Sequence, residues 1–220
     1  KLLLFIALTI FGLGLNAQNV GNVTEIDYGD YYLKFTITSV EPAECRVSGY
    51  DASPYFLIEV TIPSTVTILG TEFNVTSIGD YAFYNCSILT SIEIPNSVTY
   101  IGYGAFEYCS SLKSIEIPNS VTSIGDGAFS ECSSLTSIEI PNSVTYIGEV
   151  AFSDCSSLTG DLTIPNGVTY IGQSAFNYCS SLTGDLTIPN GVTYIGQYAF
   201  EYCSSLTSIV VAEGNTVYDS

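Results

Sequence analysis

The unit Leu-x-x-Ile-x-Ile-Pro-x-x-Val-x-x-Ile-Gly-x-x-Ala-Phe-x-x-Cys-Ser-Ser recurs along the chain with a period of 23 or 24 residues. Pro95, Pro118, Pro141, Pro165 and Pro189 mark the beat, and Cys86, Cys109, Cys132, Cys155, Cys179 and Cys203 mark it again. A unit of this length cannot bury its own apolar face, so successive copies must stack on one another. A fixed period in this range therefore specifies a solenoid.

Within the copy from Leu89 to Ser111, Ile92 and Ile94 flank Glu93, which predicts a short strand with one buried face. Pro95 ends that strand because it has no N–H for the ladder, and Asn96-Ser97 turns the chain. Val98 and Ile101 re-enter the core, and Gly102 is expected to supply a special backbone angle at the corner. Ala105, Phe106 and Cys109 fall at helical spacing and predict one helical turn leading back to the next Leu. The predicted core is Ile92, Ile94, Val98, Ile101, Phe106 and their equivalents. The strand centres Thr61, Glu93, Glu116, Glu139, Thr163, Thr187 and Val210 predict one parallel sheet.

Ile94-Pro95, Ile101-Gly102, Ala105-Phe106 and Cys109-Ser110-Ser111-Leu112 form a signature that resembles the BspA-like leucine-rich repeats, over roughly Leu57 to Val211. The resemblance implies an α/β repeat solenoid. Its right-handed coil would carry a parallel β-sheet on one face and short helical turns on the other. It also implies a secreted or surface-exposed protein that binds other proteins, with adhesion to host proteins and coaggregation as the associated roles. It supplies no catalytic residue. The stack departs from the family in being short.

Residues 1–17, KLLLFIALTIFGLGLNA, are a basic residue, an apolar run and a small-residue end, the pattern of a signal peptide. Cleavage after Ala17 would leave Gln18 first; the run from Leu2 to Leu15 is short of the ~20 residues that span a bilayer. No Met is present, so the reading frame is expected to start upstream. Residues 18–56, with the alternating run Tyr31 to Ile37, are expected to form a β-rich N-terminal cap joined without a linker to the repeats at 57–220. Extra residues around Leu69 to Asn74 predict a hairpin in the first coil. Leu206 to Val211 begins another coil, so the protein is expected to continue past Ser220. The copies Leu158–Ser181 and Leu182–Ser205 differ at Ser174 against Tyr198 and Asn177 against Glu201, which indicates a recent duplication. Each also carries an inserted Gly160 or Gly184.

Four basic residues (Lys1, Lys34, Arg46 and Lys113) against 22 acidic ones give a formal net charge of −18. Scattered cations cannot form a phosphate-tracking groove, which excludes nucleic acid as a partner and disfavours an anionic membrane surface. There is no His to activate a Ser or Cys nucleophile, and the carboxylates recur as a stripe instead of converging, so the chain reads as a non-enzyme with no cofactor. The repeated cysteines sit beside apolar positions and read as buried thiols, with disulfides between adjacent coils as the alternative. A metal role lacks both His and any Cys-x-x-Cys clip.

Two files of side chains are candidate partner surfaces. Glu93, Glu116 and Glu139 line the exposed side of the expected sheet. They read either as a site for Ca²⁺ or a basic patch, or as a solvated acidic face. Tyr100, Tyr146, Tyr170 and Tyr194 share one repeat position, interrupted by Ser123, and Tyr108, Tyr178 and Tyr202 share another. Tyrosine offers large contact area, few rotors and a hydroxyl, so the first file is the preferred contact surface, against the plainer reading that the rings stack on each other. The expected partners are extracellular host or bacterial surface proteins. A structural spacer and a glycan-binding module are the alternatives.

Overall fold

A computed structural model describes residues 20–52 and 58–218. The expected leader, 1–17, lies outside the described residues. The chain begins with an antiparallel meander of β1 (Val23–Asp27), β2 (Tyr31–Val40) and β3 (Ala43–Ala52). Alternation buries Leu33, Phe35 and Ile37 on one face of β2, and Cys45 and Val47 join them from β3. After β4 (Ile58–Thr61), β5 (Thr65–Ile68) and β6 (Thr71–Ile78) form the hairpin expected from the extra residues. Leu69 and Gly70 both have positive φ, 51° and 85°, as a tight two-residue turn between twisted strands requires.

The long ladder of the solenoid lies elsewhere than the sequence suggested. β3 pairs in parallel with β6, and the end of β6 pairs with β8 (Tyr100–Ile101), which follows β7 (Leu89–Glu93). From β8 the parallel ladder runs without a break through Ser123–Ile124, Tyr146–Ile147, Tyr170–Ile171 and Tyr194–Ile195. The Thr preceding each of these strands reinforces it. The N–H and hydroxyl of Thr99 both donate to the carbonyl of Thr76, at 2.9 and 3.3 Å, and Thr122, Thr145, Thr169 and Thr193 repeat the pattern.

The expected single sheet through Ile92 and Ile94 is instead fragmented. β4, β7 and Ser114–Ile115 form one piece, which touches Ser137 through an isolated bridge; Asp185–Ile188 pairs separately with Ser208–Val211. The ladder on this side is already down to one bridge between the equal-length coils of Ser114 and Ser137. Gly160 and Gly184 each add a residue at positive φ, 81° and 74°, between Leu and strand. The side carrying the long ladder has no insertion.

The expected helical turns are also replaced: no α-helix occurs among the described residues. In the segment after Gly102, the N–H groups of Ala105, Glu107 and Cys109 bond three residues back, while those of Gly104, Phe106 and Tyr108 donate to carbonyls of the following coil. Left-handed residues at Gly104 (φ 55°) and Tyr108 (φ 62°) interrupt any helical run and turn alternate N–H groups along the solenoid axis. Gly102 itself has no left-handed φ. A Cβ there would lie 2.7 Å from the Asp80 backbone nitrogen, so the glycine permits close approach of two coils.

The core follows the repeat. Val98, Ile101 and Phe106 are fully buried, with Ile92 and Ile94 nearly so. Phe83, Phe106, Phe129, Phe152, Phe176 and Phe200 form one stack with centroids 5.1–5.5 Å apart and planes within 9°. All seven cysteines are buried free thiols, which for the six repeat cysteines is the arrangement their position beside apolar residues suggested. From Cys109 to Cys203 each Sγ donates to the carbonyl of the Phe one coil earlier, at 3.1–3.2 Å.

Candidate surface for protein contacts

The long ladder carries the first tyrosine file in strict register: Tyr100, Ser123, Tyr146, Tyr170 and Tyr194 lie side by side on five successive strands. Each precedes a buried or half-buried Ile and so points to the opposite side of the pleat, outward. Tyr146, Tyr170 and Tyr194 stack face to face at 4.8 and 4.7 Å with planes within 11°. Tyr146 donates its hydroxyl to Asp126 Oδ1 at 3.2 Å. Partial burial and the neighbouring Asp126 carboxylate push the Tyr146 hydroxyl up to about 12. Tyr100 is raised as well, by burial first and then by Asp80 and Asp126.

Of the second file, Tyr178 and Tyr202 stack at 4.4 Å and both hold left-handed backbone, as does Tyr108. Tyr108 does not join them. It packs edge-on against Tyr84, within a cluster in which Tyr81 meets both Tyr84 and Tyr103 at steep angles. A hydrogen bond with Tyr103 and the nearby burial push the Tyr81 hydroxyl up to about 12. Sequence reasoning missed this cluster, because its members come from non-equivalent repeat positions. The signal lies in Gly104: a Cβ there would strike the Tyr81 ring at 2.7 Å, so the absent side chain is the bed on which that ring lies.

The glutamate file stands on the fragmented side. Glu93 and Glu116 line a shallow depression of about 660 Å³ together with Glu59, and Thr61 donates to Glu93 at 3.4 Å. Glu139, one coil further, is exposed but outside that lining. Among the described residues no three His, Cys, Asp or Glu side chains converge as a metal site. The three glutamates are thus spread along the sheet without forming a cage. The tyrosine file, by contrast, stacks three rings in succession, Tyr146, Tyr170 and Tyr194, on one parallel ladder.

Residues 76–207 match the model of the BspA type leucine rich repeat region in six copies. This chain belongs to the BspA-type leucine-rich repeat family. Solved structures agree with that placement. The BspA-type chain is 30% identical to the Treponema (T. pallidum) leucine-rich repeat protein TpLRR, with a TM-score of 0.72 over 85% of this chain and 82% of that one. It is 34% identical to a leucine-rich cell surface protein from Faecalibacterium prausnitzii, with a TM-score of 0.67 over 86% of this chain and 54% of that one. It is 26% identical to the pneumococcal vaccine antigen PcpA, with a TM-score of 0.68 over 89% of this chain and 51% of that one. The BspA-type chain thus spans about half the length of the latter two. No curated protein sequence matches it significantly. Leucine-rich repeat proteins are in general protein-interaction modules and are typically not enzymes. No helix among the described residues is long and apolar enough to cross a membrane.

Proposed function

We propose that this protein is a secreted or cell-surface adhesion module. It binds extracellular host or bacterial surface proteins through the outward face of its long ladder, with Tyr100, Tyr146, Tyr170 and Tyr194 as the main contacts. The observation that carries this reading is the stack of partly exposed tyrosines held at fixed spacing on parallel strands. A rigid aromatic file presents large amphipathic area with little rotamer entropy left to lose on binding. The apolar opening segment 1–17 and the F. prausnitzii cell surface neighbour support the location. Glu93, Glu116 and Glu139 act as a secondary face that favours basic partners. Because one contact recurs along the array, many copies on a cell gain avidity without a new kind of contact.

The test is multivalent display of the chain on beads against matrix proteins and neighbouring bacterial cells. Replacing Tyr146, Tyr170 and Tyr194 together by Ser, the residue already present at position 123, is expected to weaken capture at least tenfold, with the far-UV spectrum unchanged. Charge reversal at Glu93, Glu116 and Glu139 is expected to matter less. Display that captures none of these partners would leave a structural spacer as the better reading.

A further inference from the structure

The tyrosine ladder has a gap at Ser123. Ser123 pairs with Tyr100 on one side and Tyr146 on the other, so two tyrosines flank a strand that carries no ring. Neighbouring strands stand about 4.8 Å apart, which puts the two flanking positions about 9.6 Å apart. The rings that do stack in this file are 4.7 and 4.8 Å apart, so the gap has room for one more planar group. Its floor is a small, half-buried Ser, and Tyr100 is 40% exposed, so the slot opens to solvent.

One end of the slot is acidic. Asp126, three residues beyond Ser123, accepts the Glu149 N–H and the Tyr146 hydroxyl on Oδ1, and among the described residues no hydrogen bond reaches its Oδ2. Asp126 touches the Tyr146 wall, and its charge acts on Tyr100 together with that of Asp80. Among the described residues the sole ion pair is Lys34 with Glu25, and none of their cations pairs with Asp126. The same register file contains an arginine. Arg46 pairs with Ser77, the other small residue of the file, next to Tyr100. Its stem lies along the backbone there, with Cδ 3.2 Å from where a Cβ on Gly79 would sit.

We propose that the Ser123 gap is a receptor slot for an arginine side chain of a partner protein, its guanidinium sandwiched between Tyr100 and Tyr146 and hydrogen-bonded to Asp126. A planar cation midway in the slot sits about 4.8 Å from each ring, inside the roughly 6 Å range of cation–π attraction. Arginine fits better than lysine because its guanidinium is flat, weakly hydrated and able to stack while donating sideways to a carboxylate. The net charge of −18 draws such a partner in. The slot rests on the adhesion reading for the owner of the arginine, but its existence is tested with a small probe that needs no adhesion partner.

The probe is acetyl-Gly-Arg-Gly-amide, compared with its lysine and citrulline counterparts, titrated into the full chain carrying fluorotyrosine and followed by fluorine NMR. Saturable shifts are expected at Tyr100 and Tyr146, strongest for arginine and at least fivefold weaker for both counterparts. Ser123→Tyr, which fills the slot with the residue its neighbours carry, is expected to weaken arginine binding at least tenfold, and Asp126→Asn at least threefold. Should Ser123→Tyr fail to fold, Tyr100→Leu removes one wall at an exposed position and is expected to have the same effect. Arginine binding unchanged in these variants would overturn the slot. So would equal shifts at Tyr81, Tyr178 and Tyr198, since that pattern means general attraction to an acidic surface. Failure of bead capture with the slot intact would instead count against the adhesion reading alone.

Discussion

From Cys109 to Cys203 each cysteine of the stack is held twice, by apolar neighbours and by a hydrogen bond from its thiol to the carbonyl of a Phe one coil earlier. Burial pushes the Cys45 and Cys132 thiols up to about 12 from an ordinary value of 9.0. The thiolate is the reactive species, so iodoacetamide at pH 8 is expected to label none of the seven cysteines in the native chain and all of them in denaturant. Mass spectrometry reads the count, and masses of disulfide-linked peptides would contradict the geometry. The same shifts fix a pH window. A folded-state value above the unfolded one means that the unfolded chain releases its protons first. Stability is therefore fully present below about 9 and falls as pH rises toward 12. Chemical denaturation at pH 6, 7.5 and 10.5 should show no loss over the first interval and a clear loss over the second. A second residue-scale outcome concerns Val150, a β-branched residue at φ 49° where two other coils place Gly104 and Gly127. Left-handed backbone strains a residue with a Cβ, most of all a β-branched one. Val150→Gly is expected to stabilise the chain by about 1 kcal/mol, read as a raised urea midpoint. An unchanged or lowered midpoint would mean that the strain is compensated elsewhere.

At the scale of the coil, the phenylalanine stack ties neighbours together, and each ring's contribution depends on having a neighbour on both sides. Phe129 is fully buried between Phe106 and Phe152, whereas Phe200 ends the stack and is only half-buried. Phe129→Ala is expected to cost about 3–5 kcal/mol and Phe200→Ala less than half of that, measured by urea unfolding. Equal losses would mean that coupling between coils is weak. The burial of these rings was legible from sequence, because the same apolar letters return at the same phase and only a stacked coil buries them all. The location of the long ladder was not. Ser-Ile-Glu-Ile looked like the stronger strand, yet its ladder is down to a single bridge by Ser137, between coils of equal length, while the Thr hydroxyls stabilise the other side. The helical turn was misleading for a different reason. Ala105, Phe106 and Cys109 have helical spacing, but Tyr108 adopts left-handed backbone although nothing in its chemistry announces it. The tyrosine file could be read from its period, and so could the gap at Ser123. The Tyr81 cluster could not, because it joins positions that the period does not relate.

Across the whole molecule the two ends of the described stack are unlike. At one end the meander β1–β3 extends the sheet through β6, and Tyr50 stacks on Phe83 at 5.6 Å. At the other, Ile209 and Val210 are 52% and 47% exposed, and one turn ties the last coil down. The key residue there is Asn215, fully buried, whose Nδ2 donates to the carbonyls of Pro189 and Val192 at 2.9 and 3.0 Å. Its Oδ1 accepts the N–H groups of Val217 and Tyr218, and the Tyr218 hydroxyl in turn accepts the Ile195 N–H at 2.7 Å. One amide thus satisfies four backbone groups and holds the ring that covers the end of the ladder. When the 220-residue chain is studied by itself, its last coil has a neighbour on one side only, and opening of a one-dimensional array starts at such a coil. Amide hydrogen exchange is therefore expected to be fastest from Tyr194 to Val211, slower through the central coils, and slow again at β6 and β3. Asn215→Ala leaves the Val192 carbonyl and the N–H groups of Val217 and Tyr218 without their side-chain partner, while the Pro189 carbonyl keeps the Val192 N–H, a loss of about 1–3 kcal/mol. Because that loss falls on the last coil, exchange at Ile195 should accelerate at least tenfold while exchange at Ile101 stays unchanged. Uniform acceleration along the chain would show that the stack opens as one unit, and the end turn would then count as part of its core.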